Sequence, residues 1–135
     1  MQPRGLRNRN PLNIRKSSQK FVGEIKGHDK DFKTFSTMAY GYRAAFVILG
    51  TYISRKDNTI EKIIRKWAPA CENNTNAYIC TVERMSKVAR TEVLTLSDGD
   101  KIIDIVAAMS FVENGVKAVM TDVKSGFLLQ YKIKK

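Results

Sequence analysis

The sequence predicts an α+β fold that is mainly α, a helical domain carrying one small β-hairpin. Three observations carry this expectation: several segments repeat apolar residues at three-four spacing, one short segment reads as two β-prone runs around a turn, and no strand-helix-strand alternation occurs. At 135 residues the chain fits one domain, 1–135, large enough to bury a core without metal or disulfide staples.

The elements follow in chain order. Residues 1–19 read as an extended basic segment. Residues 20–35, "KFVGEIKGHDKDFKTF", hold β-prone runs at 20–26 and 31–35 around Gly27-His28-Asp29-Lys30, a hairpin signal. The helical part, 36–135, opens where Ser36 can cap a helix whose stripe runs through Met38, Tyr42, Ala45, Phe46, Leu49, Tyr52 and Ile53. Asn58 with Glu61 three residues later resembles a capping box for a short helix burying Ile60, Ile63, Ile64 and Trp67, which Pro69 stops. Asn74 or Thr75 can cap a third helix with Tyr78, Ile79, Val82 and Met85 on one side, fading near Arg90. Ser97 with Asp100 opens a fourth, whose face of Ile102, Ile103, Val106, Ala107 and Ser110 arrives one turn on at Glu113 and Asn114. In residues 117–135 Gly126 interrupts the pattern, and helix is favoured over strand.

Net charge +11 points to a polyanionic partner or surface. Arg4, Arg7, Arg9, Arg15, Lys16 and Lys20 fill the first twenty residues with no acid among them, which suits a nucleic-acid-binding arm and equally suits attraction to the anionic bacterial wall. No apolar run is long enough for a membrane span, and no apolar h-region follows Met1, so neither a membrane anchor nor a secretory signal is expected. The chain would be made in the cytoplasm, as a monomer, and be virion-associated or released to the wall. Cys71 and Cys80 read as free thiols, and one histidine, His28, with no further cysteine pair leaves no metal site. No cofactor is expected. Nucleophile elbows and phosphate-cradling glycine loops are missing, so an enzyme built from these residues would use carboxylate acid/base chemistry.

Glu113 is the carboxylate that breaks a local rule. In "FVENGV", 111–116, it occupies the last helical turn, where the backbone carbonyls already disfavour a negative charge by roughly 0.3–1 kcal/mol. One reading pairs it in solvent with Lys117 or Lys101 beside an Asn114-Gly115 helix stop. The other places it half-buried, with its pKa raised and its proton available as a general acid near neutral pH. "NPLNIR", 10–15, is a turn or a ligand-lining loop that would present Asn10 and Asn13. "APACENNTNAY", 68–78, is rich in side-chain amides, and Glu72, Asn73, Thr75 and Tyr78 can offer hydrogen bonds and a ring to a sugar. Glu24, Asp29 and Asp31 are either ordinary surface charge or the source of a second carboxylate. Arg43 lies off the main apolar stripe, where it serves either to satisfy a buried carboxylate or carbonyl or to bind ligand.

"RGLRNRNPLNIRKS", "FVG", "DFKTFSTMAYGYRAAFVIL", "IIRKWAPACENNTNAYICTV" and "AMSFVENG", in that order across residues 4–115, resemble a family of small phage- and prophage-encoded proteins labelled phage structural proteins. Members typically carry Trp at Phe21, Asn at Arg9 and Pro at Ala70. That family is in turn similar to the lysozyme-like wall hydrolases: "FVENGV" resembles the Glu-Ser-Gly that ends the catalytic helix of lytic transglycosylases, and "ENNTNAY" their sugar-contacting helix. The resemblance implies a lysozyme-like helical domain, circularly permuted because the Glu-bearing helix comes late. It also implies peptidoglycan as partner, cleaved as by a muramidase or lytic transglycosylase, with Glu113 as acid. A non-catalytic virion or wall-binding protein is the alternative, and a basic nucleic-acid-binding protein a further one.

Overall fold

The computed structural model describes residues 2–69 and 74–132. In chain order it holds α1 (Arg4–Arg7), β1 (Glu24–Ile25), β2 (Thr34–Phe35), α2 (Met38–Ser54), α3 (Ile60–Trp67), α4 (Thr75–Ser86), α5 (Gly99–Asn114) and α6 (Met120–Lys132). The fold is therefore mainly helical with one two-stranded antiparallel sheet, in which Glu24 pairs with Phe35 and Ile25 with Thr34. An isolated bridge from Arg15 to Phe32 ties the N-terminal segment to this hairpin.

Helix α2 lies at the centre. Tyr42, Ala45, Phe46, Leu49 and Ile53 recur at the spacing of one helical face and are all buried, each large side chain contributing about 1.5–3 kcal/mol. Helix α6 packs along α2, and Gly126 makes that possible: a Cβ there would lie 2.5 Å from Tyr42 Cβ and 2.8 Å from the Ala39 carbonyl. The glycine that interrupts the sequence pattern is thus a point of close helix approach. Phe127 then meets the edge of Phe46 at a centroid distance of 5.2 Å. Helices α4 and α5 form the other large helix pair, with Ile79, Val82, Ile105 and Met109 buried between neighbouring elements.

Several helix starts differ from expectation by one residue. Thr37, not Ser36, caps α2 by accepting from Tyr40 N at 3.1 Å, and Thr59, not Asn58, caps α3 by accepting from Lys62 N at 3.1 Å. Asn58 is engaged elsewhere, its carbonyl accepting from Leu94 N at 2.7 Å. Asn74 caps α4 as expected. The box read at Ser97 and Asp100 does not form: α5 begins at Gly99, and the Asp98 carboxylate folds the lead-in by accepting from Thr95 N at 2.8 Å.

The N-terminal segment differs most. Residues read as extended contain the one-turn helix α1, after which Asn8, Asn10, Pro11, Leu12 and Ile14 are buried. Asn10 staples this loop. Its Oδ1 accepts from Ile14 N at 2.9 Å while Nδ2 donates to the Ile14 and Lys33 carbonyls at 2.9 and 2.8 Å.

Candidate active site

Three segments distant in sequence converge on Glu113. Helix α5 delivers it in its last turn before Gly115, which takes the left-handed conformation that ends the helix. The loop after α1 brings Asn13, whose φ of 53° is one that asparagine tolerates better than most residues. Its Nδ2 donates to Glu113 Oε1 at 2.8 Å. From α4, the buried Tyr78 donates its hydroxyl to Glu113 Oε2 at 2.9 Å.

The loop is locked against the end of α5. Asn114 donates from Nδ2 to the Pro11 carbonyl at 2.8 Å and to the Ser110 carbonyl at 2.9 Å, and the Ser110 hydroxyl meets the Tyr42 hydroxyl at 2.8 Å. Gly5 of α1 sits directly on this arrangement. A Cβ at that position would come within 2.5 Å of Asn114 Oδ1 and 2.9 Å of Asn13 Oδ1, so only glycine lets α1 close over the site.

Glu113 lies in the wall of a cleft of about 360 Å³. The cleft is otherwise lined by the Leu12-Asn13-Ile14-Arg15 stretch, by Phe32 of the hairpin, by Ile48 and Tyr52 of α2, and by Trp67 and Ala68 at the end of α3. Tyr52 and Trp67 meet edge to face at 6.4 Å, and the Arg15 guanidinium stands 5.1 Å from the Phe32 ring. The cleft thus sets aromatic rings beside one side-chain amide, Asn13, and one carboxyl, Glu113.

Burial raises the Glu113 pKa above the ordinary carboxylate value, and this outweighs the hydrogen bonds from Asn13, Tyr78 and Trp67, each of which favours the charged form. The carbonyl end of α5 acts in the same direction as burial. Tyr78 is pushed well above the ordinary phenol value by burial and by the neighbouring Glu113 charge, so it remains a donor. Asn13 bonds Oε1 and Tyr78 bonds Oε2, and the carboxyl lines the cleft. The solvent-exposed pairing read as an alternative is absent among the described residues: Lys101 pairs with Glu92, not Glu113.

The other expected site residues divide. Asn13 and Tyr78 join Glu113, whereas Asn10 is spent on backbone groups and does not reach the cleft. Thr75 is buried and donates to the Ala68 carbonyl at 2.5 Å, which holds the start of α4 to the end of α3. Glu72 and Asn73 lie outside the described residues, as does Cys71; Cys80 is an exposed free thiol.

The three hairpin carboxylates stand away from the cleft. Asp29 takes a two-point grip from Arg4, Nε to Oδ2 at 2.5 Å and Nη2 to Oδ1 at 2.7 Å, which holds its pKa far below the usual carboxylate range. Asp31 shares the same guanidinium at 3.1 Å. Glu24 faces the fully buried Lys33, 3.1 Å away. Among the described residues, Glu113 is the one carboxylate lining the cleft. Trp67 and Tyr52, read from the sequence as core residues, are cleft walls. The signal that marks Trp67 is its place one residue before the amide-rich 68–78 stretch.

No group of described His, Cys, Asp and Glu residues could hold a metal ion, and no described helix is long and apolar enough to cross a membrane. No protein-family model matches the chain. It is 37% identical over 130 residues to Protein P5 of Pseudoalteromonas phage PM2, an alignment that covers 92% of this chain and 79% of that protein. Over such a span this identity establishes kinship with a phage protein, and the chain belongs to the family of phage PM2 protein P5.

Proposed function

We propose that the protein is a phage virion component that seats a glycan strand of bacterial peptidoglycan in the Glu113 cleft and cleaves it with Glu113 as general acid. One observation carries this reading: a carboxyl whose protonation is favoured by burial is aimed into a ring-lined cleft by two donors from separate segments. The kinship with a phage protein supports the virion setting. In the cleavage step Glu113 gives its proton to the glycosidic oxygen of the β-1,4 bond after N-acetylmuramic acid as the C1–O bond breaks, leaving an oxocarbenium-like centre. With no second carboxylate among the described cleft residues, the sugar's own hydroxyl is the nucleophile that fits best. It closes on C1, returns its proton to Glu113 and leaves an anhydro end.

A second reading keeps the cleft and the glycan but not the turnover, making this a structural virion protein that binds the wall. The phage kinship favours it, and so does the single carboxylate. Incubation with purified sacculi separates the two. Release of anhydro-muramyl fragments by the native protein, lost in Glu113→Gln, supports cleavage. Retention on sacculi with no fragment released supports binding alone, and neither retention nor release removes both.

A further inference from the structure

Arg43 is 96% buried by its 4% residual exposure, and its Nε has no hydrogen-bond partner. No described residue supplies it with an ion pair. Of the two roles the sequence leaves open for it, satisfying a buried carboxylate or carbonyl through its side chain is therefore not the one it performs. A guanidinium cannot neutralise itself by losing a proton, so a buried one without a counter-charge is costly unless something else supplies an anion.

Arg43 lines a groove of about 930 Å³, on a different face of α2 from the one that gives Ile48 and Tyr52 to the Glu113 cleft. Phe21, Val47, Leu96 and Tyr131 contribute apolar walls, and Lys20 and Arg55 add two further cations. No carboxylate is among the described residues lining it. The volume is within the range of small-molecule sites. Elsewhere in this chain an arginine meets a carboxylate two oxygens at a time, as Arg4 does with Asp29.

From these observations we infer that the groove between α2, α6 and residues 19–22 binds a small amphiphilic carboxylate, its head taken by Arg43 and its alkyl or aryl body laid along Phe21, Val47 and Leu96. The site is separate from the Glu113 cleft and does not depend on what that cleft does. Arg43 sets the preference for an anionic head, and the apolar wall sets the requirement for a body.

The test is calorimetric titration of the full chain with decanoate below its micelle concentration, beside decanamide, decyl phosphate and acetate. Loss of a charge-assisted hydrogen bond is worth roughly tenfold or more in affinity, so decanamide should bind at least that much more weakly than decanoate. Acetate should not bind measurably. Arg43→Met keeps an apolar stem of similar reach and removes a buried uncompensated charge, and it should erase the difference between acid and amide. Gly50→Leu serves as a second variant that leaves the fold intact: the nearest atom to a Cβ there is Leu96 Cδ2 at 3.8 Å, so the new side chain enters the groove without a clash at its root. It should block decanoate. Equal affinity for decanoate and decanamide, undiminished decanoate binding by both variants, or a tenfold preference for decyl phosphate would each overturn the assignment.

Discussion

The Tyr78 hydroxyl donates to Glu113 Oε2 at 2.9 Å, joining α4 to the last turn of α5 across 35 residues of sequence. Tyr78 is buried and Glu113 half-buried at the cleft wall, and each perturbs the other: the carboxylate charge raises the phenol pKa, and the phenol hydrogen bond lowers the carboxyl pKa against the effect of burial.

Tyr78→Phe keeps the ring and removes that donor. The Glu113 pKa is then expected to rise further, because one of the groups that favours its charged form is gone while burial stays. Carbon-detected NMR titration of the Glu113 carboxyl measures the shift directly, and an unchanged or lowered midpoint would count against the arrangement. Losing a hydrogen bond to a charged group should also cost about 1.5–3 kcal/mol of stability above the titration, readable in urea.

Glu113 itself gives stability an unusual pH slope. A carboxyl whose folded pKa is raised binds protons more tightly in the folded state, so the folded chain carries more protons than the unfolded one between the ordinary value of 4.5 and the raised one. Stability contributed by this group therefore falls as pH climbs through that window. Glu113→Gln cannot titrate. The native protein should gain on the variant as pH drops from 7 toward 4 and lose ground as it rises, whatever constant offset the amide introduces. Denaturant midpoints of both proteins at several pH values check this, and a difference that does not change with pH would refute it.

Why the sequence reveals Glu113 but not its surroundings follows from where each constraint acts. The misfit at the end of α5 is local, since a carboxylate beside carbonyls can be read from six residues. Asn13 and Tyr78 stand out because they belong to motifs whose residue types suit a ligand. The tie of Asn13 to Glu113 spans 100 positions and has no periodic signature. Trp67 fits the apolar spacing of α3 and so reads as core, although one edge of it lines the cleft. Asn10 differs in another way: an amide next to proline reads as part of a turn or a ligand-lining loop, whereas it is the buried staple of the loop. Helix caps are misread by one residue where adjacent Ser, Thr and Asn offer equivalent oxygens, as at Ser36-Thr37 and Asn58-Thr59.

Gly5→Ala places a methyl group within 2.5 Å of Asn114 Oδ1 and 2.9 Å of the Asn10 carbonyl. Neither neighbour can retreat without breaking its own hydrogen bonds, so overpacking of about 1–3 kcal/mol is expected. The displacement should also pull Asn13 from Glu113. Loss of the Asn13 side-chain NH₂ chemical-shift signature together with a lower urea midpoint is the expected result, and a variant as stable as the native chain would show that α1 does not clamp the loop.

Glu24 offers the last separation of structure from catalysis. Its carboxylate lies 3.1 Å from Nζ of Lys33, whose side chain is wholly buried and also donates to the Gln19 carbonyl at 2.8 Å. Removing Glu24 strands the Lys33 charge in the interior, a change worth about 3–5 kcal/mol, whereas replacing both by apolar groups of similar volume is often neutral. Glu24→Gln should therefore unfold at much lower urea, Lys33→Met should cost less because Lys20 still faces Glu24 at 3.8 Å, and the double variant Glu24→Leu with Lys33→Met should recover most of the Glu24→Gln loss. A Glu24→Gln protein with native stability would refute this structural role, and loss of action on sacculi at native stability would count against a Glu24 that serves the fold alone.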